Sequence, residues 1–182
     1  MQTDDWRNIR LGHTIPTETY SDQPYIVTTD DGAWLCVVTT GTGHEGQGGQ
    51  HVITMRSTDR GLTWSAPVDV EPASGPEASY AVLLKVPEPN RAAGRIFVFY
   101  NHNTDNVRKV LADRSAYPDG FCRRVDSLGH FVLKISDDGG RSWSAERYEV
   151  PMRATEIDRQ NPYEGELKFF WNVGKPFVHA GS

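Results

Sequence analysis

The chain has 182 residues, a mean hydropathy of -0.55 and a formal net charge of -5, with 19 basic and 24 acidic side chains interspersed. That length and apolar content suit one domain with a real core, and the lack of any basic run argues against nucleic acid as the main partner. No apolar stretch approaches the ~20 residues needed to span a bilayer, and Met1–Arg10 is polar rather than leader-like, so a cytoplasmic location is the default expectation with secretion left open.

In chain order, Pro24–Thr29 reads as a strand closed by the tight turn Asp30-Asp31-Gly32. Ala33–Thr39 follows, nearly all apolar through Trp34-Leu35-Cys36-Val37-Val38, as in a strand packed on both faces. A glycine-rich loop, Thr40–Gln50, leads to a third strand at His51–Arg56, a turn, and a fourth strand at Trp64–Val70. The plan then repeats. Ser79–Val86, a Pro/Asn/Gly turn and Arg95–Asn101 are followed by a charged insertion, His102–Leu128, with a short helix expected around Val107–Ala112. His130–Ile135, a second turn and Trp143–Val150 complete the second unit, and a new first strand is expected at Gly174–His179. Cys36, inside a strand pattern, and Cys122, in the insertion, read as two unpaired thiols.

The two units share one turn. Ser57-Thr58-Asp59-Arg60-Gly61-Leu62-Thr63-Trp64 recurs as Ser136-Asp137-Asp138-Gly139-Gly140-Arg141-Ser142-Trp143, and both satisfy S-x-D-x-G-x-x-W. In such a turn the Asp accepts hydrogen bonds from its own loop, the Gly takes a conformation other residues resist, and the Trp covers the turn; Ser57, Asp59, Gly61, Trp64, Ser136, Asp138, Gly140 and Trp143 are thus structural. The pattern resembles the Asp-box, or BNR repeat, of the sialidase-like β-propellers, where it joins the third and fourth strands of a blade. The resemblance extends over nearly the whole chain and looks closest to bacterial exo-α-sialidase-like proteins through Ser21-Asp22-Gln23-Pro24-Tyr25, Gly41-Thr42-Gly43-His44-Glu45-Gly46 and Gly75-Pro76-Glu77-Ala78-Ser79. It implies an all-β chain: a partial sialidase-type β-propeller of two four-stranded antiparallel blades plus the start of a third. Blade one is placed at about 20–71, blade two at about 77–150 with its insertion at 102–128, and the third blade from about 174.

Antiparallel strands sort the loops by end. The second-to-third loops and the crossings between blades share one end, and there the long polar segments gather. That end is expected to carry function. Asp22 and Gln23 open the first strand, His44, Glu45 and His51 bracket the glycine-rich loop, and Glu77 opens blade two at what reads as the position of Asp22. Asn101, His102, Asn103, Asp105 and Asn106 open the insertion, while Arg153, Glu156, Asp158, Arg159 and Asn161 lie in the crossing after blade two. Carboxylates set among arginines and amides suit an acidic, hydroxyl-rich sugar, because Arg forks a carboxylate, amides read hydroxyls, and a carboxyl group moves protons. Each residue singly also fits a loop cap or a solvated charge. A zinc reading of His44, Glu45 and His51 fits by ligand type but lacks a metal spacing, so no metal or other cofactor is assigned.

Sialidases hold the substrate carboxylate with three arginines, the first in an R-I-P motif where this chain has Asp22-Gln23-Pro24. Their acid/base Asp follows the second strand, where this chain offers Glu45 with His44. No Tyr nucleophile is assignable. The first expectation is a sialidase-like glycoside hydrolase acting on a terminal sugar of an acidic glycan. Asp22, His44 and Glu45 would be catalytic, and Gln23, His51, Glu77, Asn101, Asn103, Asp105, Arg153 and Arg159 would bind carbohydrate. The alternatives are a polysaccharide lyase acting on a uronic-acid polymer through His44 or His51, and a non-catalytic glycan-binding propeller. Residues 1–182 alone are expected to be inactive and to aggregate, because the outer faces of both blades would lie open. Size-exclusion chromatography and calorimetry check this; a soluble monomer with one cooperative transition is the contrary result.

Overall fold

The computed structural model describes residues 7–87, 94–103, 106, 109–124, 128–160, 164–165, 168–169 and 171–179. Two antiparallel meanders account for most of it. The first is β1 (Tyr20–Thr28), β2 (Trp34–Gly41), β3 (His51–Ser57) and β4 (Val68–Asp69), in that spatial order. The second begins with β5 (Ala78–Val86) and β6 (Arg95–His102). The small hairpin β7 (Val110–Leu111) and β8 (Phe121–Cys122) interrupts it before β9 (Leu128–Ser136) and β10 (Tyr148–Glu149) complete the order β5-β6-β9-β10. A five-residue helix α1 (Glu156–Gln160) follows, and β11 (Lys168–Phe169) pairs with the start of β9. These are two four-stranded blades.

The fourth strands are shorter than the apolar pattern suggests, for a local reason. Ser65 N–H bonds to Arg56 O and Ser144 N–H to Ile135 O, each at 2.8 Å, so both turns stay closed past the box tryptophans. Pro67, which has no N–H, then delays pairing in blade one until Val68. The helix expected at Val107–Ala112 is not found. Val110–Leu111 pairs with Phe121–Cys122 instead, and Val107 lies outside the described residues. Asp113 closes this hairpin by accepting from Ser115 N (2.7 Å) and Tyr117 N (2.8 Å), while Leu111 is exposed and gives a helix nothing to bury. Gly174–His179 joins no ladder among the described residues.

Alternation along the strands divides each sheet's residues between two neighbours. Leu35 and Val37 of β2 and Val52 of β3 turn toward blade two. There they meet Ala81, Leu83, Ile96, Val98, Tyr100 and Val132 in one buried cluster, with Tyr25, Val27 and Trp143 at its edge. Val38, Ile53 and Met55 turn the other way. Ile15, from the segment before β1, and Trp64 pack on that outer face, which is therefore covered, contrary to the open face expected for blade one. On blade two the outer face carries an aromatic ladder, with Phe97 and Phe99 at 6.3 Å and Phe99 and Phe131 at 5.9 Å between ring centroids. Both thiols are free; burial pushes Cys36 up to about 12.

Each box is held by its own side chains. Ser57 Oγ accepts from Gly61 N (2.7 Å), and Asp59 accepts from Thr63 N (2.9 Å) and Thr63 Oγ1 (2.6 Å), bonds that hold the Asp59 carboxyl at about 2. Ser136 Oγ likewise accepts from Gly140 N, and Asp138 from Ser142 N. The second box also docks on blade one. Trp143 Nε1 donates to Thr54 Oγ1 (2.9 Å), Arg56 donates to Gly139 O, and Asp31 receives both Arg56 and Arg141. Gly140 (φ +83°) sits so tightly on Leu35 that an added Cβ would lie 2.5 Å from its methyl carbons, whereas Gly32 (φ +81°) faces open space. Gly32→Ala should therefore cost about 1–2 kcal/mol for the left-handed backbone alone. Gly140→Ala should cost about 1–3 kcal/mol more from overpacking, about 2–5 kcal/mol together, a difference that urea unfolding will resolve.

Candidate functional site

Because the strands alternate in direction, the β2–β3 loop (42–50), the crossing into β5 (70–77) and the β6–β9 insertion all leave the blades at one end. Both innermost strands are irregular there. β1 slips register between Asp22 and Tyr25 with Gln23 at φ +47°, and β5 between Ser79 and Val82 with Tyr80 at φ +56°. A bulge with a non-glycine residue in the left-handed region costs free energy and re-aims a side chain. The register also corrects one expectation: Asp22 opposes Thr39 as Ser79 opposes Asn101, so Asp22 corresponds to Ser79, and Glu77 lies two residues earlier.

The β5 bulge has a visible outcome. Tyr80 is buried, its N–H donates to Thr39 Oγ1 (3.0 Å), and its hydroxyl reaches Glu45 Oε1 (3.3 Å) across the seam. Arg124, from the insertion, donates to the same carboxylate oxygen at 2.9 Å. Three segments thus meet at Glu45. Around it, Gln50 Nε2 donates to His44 O (2.7 Å) and Gln50 O accepts from Ala78 N, tying the glycine-rich loop to blade two. Asn106 accepts from Glu77 N (2.6 Å) and donates to Gly75 O, and Asn103 N–H donates to Glu77 O (2.8 Å), so the insertion is stapled to the crossing.

Not every expected site residue lies on this surface. His44 and Glu45 are exposed and Asp22 and Gln23 half-buried, but Glu77, Asn101 and Asn103 are buried and lie beneath the face. His51 is also buried and points to the outer side of blade one. Its Nε2 lies 3.2 Å from Glu18 and its Nδ1 3.9 Å from Asp69, away from the Glu45 cluster. Arg153 is exposed, and Arg159 turns back to donate to Ala154 O (2.9 Å) beside α1. Asp105 and Asn161 lie outside the described residues. No group of three or more His, Cys, Asp or Glu among the described residues is arranged to hold a metal ion. The sequence marks neither Tyr80, whose place follows from the β5 bulge, nor Arg124, which lies in the charged insertion.

A second polar cluster lies in the seam itself, among the outer strands. Glu71, 3% exposed, accepts from the Tyr100 hydroxyl, from Arg147 Nε (2.8 Å) and Nη2 (2.9 Å), and lies 3.2 Å from Lys134 Nζ. Burial alone would raise its carboxyl, but Arg147, Tyr100 and Lys134 more than offset that and hold it at about 2. Beside it, burial first and then Arg147 push His102 down to about 4.

Residues 134–145 match the BNR/Asp-box repeat family model, and a comparison with curated proteins finds no match. Among solved structures, the chain is similar to a Hadza microbial sialidase at 19% identity with a TM-score of 0.46, over 71% of this chain and 25% of that one. It is also similar to a protein of unknown function from Dyadobacter fermentans at 16% identity with a TM-score of 0.48, over 86% of this chain and 40% of that one. The chain therefore spans between a quarter and two fifths of the length of these two structures.

Both lowered values place stability at neutral pH. Neutral His102 contributes fully above its ordinary 6.5, and that contribution is lost as pH falls toward 4; ionised Glu71 contributes above 4.5 and is lost toward 2. Thermal midpoints should thus be level above pH 7, fall between 6.5 and 4, and fall again below 4.5, with His102→Phe removing the upper phase in a pH series of melts. The match over residues 134–145, the box built twice and the two four-stranded antiparallel sheets show a chain of two blade-like units, each carrying a BNR/Asp-box turn.

Proposed function

We propose that these blades supply part of the substrate face of a glycoside hydrolase that acts on a terminal sugar of an acidic glycan. The observation that carries the reading is the meeting of the β2–β3 loop, the β5 bulge and the insertion at Glu45. A carboxyl group held by a buried phenol and flanked by a guanidinium is a positioned proton-transfer group beside a site for an anion. Glu45 is the proposed proton donor to the glycosidic oxygen, exposed His44 lies next to it for substrate contact, and Arg124 binds the acid group of the sugar. Arg124 thereby supplies on this face a cation that Asp22-Gln23-Pro24 does not. Of the two histidines a lyase reading would use, His51 is engaged on the outer side, which favours hydrolysis.

The test uses the full-length gene product against a fluorogenic sialoside and a panel of uronic-acid and sulfated polysaccharides, with product analysis. Glu45→Gln should lower kcat/KM by about 10²–10⁴-fold. Arg124→Ala should act chiefly on KM, by roughly 10–150-fold for a lost charge-assisted bond of about 1.5–3 kcal/mol. An unsaturated, ultraviolet-absorbing product would instead establish a lyase, and turnover unchanged in both variants would remove Glu45 and Arg124 from the site.

A further inference from the structure

A groove of about 530 Å³ opens at the box end of the blades, opposite the Glu45 face, between the first box and Arg141 of the second. Trp64 lines it. Part of that indole covers the turn at Gly61, part packs on Val38, Ile53 and Met55, and the ring is only half-buried. On the rim, the Thr58 hydroxyl is exposed and makes no hydrogen bond among the described residues, and Thr63 Oγ1, which donates to Asp59 Oδ2 (2.6 Å), keeps its lone pairs. Arg141 reaches in from the second box. Its Nη1 donates to Asp138 O (2.7 Å) and its Nη2 to Asp31 Oδ2 (2.8 Å), bonds that fix the guanidinium plane and use two of the five N–H groups such a side chain carries. Arg56 closes the inner wall, held by the same Asp31 and by Gly139 O.

The charges here are matched. Arg56 and Arg141 share Asp31, and the two turns carry Asp59 and Asp138 as well, so the groove does not call for an anion. What it offers is an aromatic surface beside fixed donors and acceptors, at a volume within the ~300–1,000 Å³ of small-molecule sites. A pyranose ring matches both parts, with an apolar C–H face for the indole and a girdle of hydroxyls that give and take hydrogen bonds. The repeat supplies a comparison. A groove of about 400 Å³ forms at the second box from the same positions, with Asp137 for Thr58, Ser142 for Thr63 and Trp143 for Trp64. Its rim is already paired internally, Asp137 to Arg95 (2.8 Å) and the Tyr148 hydroxyl to Glu146 (2.9 Å). Of the two grooves, the first keeps its rim groups uncommitted.

We propose that the first groove is a binding site for a neutral pyranose sugar, which stacks on Trp64 and is read by Thr58 and Arg141. The site shares no residue with the Glu45 face and does not rest on the hydrolase reading. From the opposite end of the blades it anchors the protein to carbohydrate without occupying that face.

The test titrates lactose, cellobiose and maltose separately into the isotope-labelled full-length protein, with mannitol as the control. At least one disaccharide should move the indole N–H resonance of Trp64 saturably, the signal being identified by its loss in Trp64→Phe. Mannitol, which has the hydroxyls but no ring, should not move it. With the tightest of the three sugars, calorimetry should show binding weakened about two- to tenfold in Thr58→Val, for a lost neutral hydrogen bond at an exposed position, and about tenfold or more in Arg141→Met. A Trp64 signal that no sugar moves, or that mannitol moves equally, would overturn the site. So would sugar binding that disappears in Glu45→Gln and persists in both rim variants, since the sugar would then lie on the opposite face.

Discussion

A four-stranded sheet with apolar residues on both faces must find a partner on each side. Here Leu35, Val37 and Val52 of one blade find Leu83, Ile96, Val98 and Tyr100 of the next. At about 1.5–3 kcal/mol for each fully buried aliphatic side chain, this seam outweighs the ion pairs along its rim, which at exposed positions contribute about 0–1 kcal/mol each. What the polar contacts add is register. Asp31 with Arg56 and Arg141, Asp30 with Lys85, and Trp143 with Thr54 permit one alignment of the blades and penalise a slip by any strand residue. The Glu45 cluster depends on that alignment, because its loop belongs to blade one while Tyr80 and Arg124 belong to blade two and its insertion.

The bulge at Tyr80 shows how strain becomes position. A regular β5 would alternate its side chains without interruption, and the extra residue at φ +56° sends the phenol into the seam, where Glu45 receives it. The left-handed backbone is held by ladder bonds on either side and by Thr39. Gln23 repeats the same backbone in β1, so the distortion belongs to the blade plan rather than to one residue.

Sequence and structure agree where the signal is periodic and local. The apolar strands such as Trp34–Val38 and Ile96–Tyr100, and the S-x-D-x-G-x-x-W turns, were readable because burial and turn chemistry act over a few neighbouring residues. The short fourth strands were overread, since apolar and β-branched residues near Val68 and Val150 cannot reveal that Ser65 and Ser144 hold the turns closed. The charged insertion misled for a related reason. Its residues suit a helix by propensity, but with no apolar face to bury they settle into a hairpin around Asp113. Within the candidate site, the sequence marks Glu45 by its place in a long loop but not its contact with Arg124, which lies 79 residues away along the chain. Glu71 escaped notice too, as a carboxylate in an ordinary crossing that only the folded seam surrounds with Tyr100, Lys134 and Arg147.

Aligned on their box serines, Leu35 of blade one corresponds to Phe97 of blade two, and Thr54 to Leu133. The first face therefore offers a small aliphatic socket and a hydroxyl for an indole N–H, while the second offers stacked phenyl rings and no hydroxyl. A turn like that at Gly140, laid on the second face, would meet a ring where it now meets a leucine. Neighbouring blades carry matched halves of different fittings, so gene duplication or shuffling of a single blade would place it against the wrong socket, and any lasting change of order would have to alter both sides of a seam together.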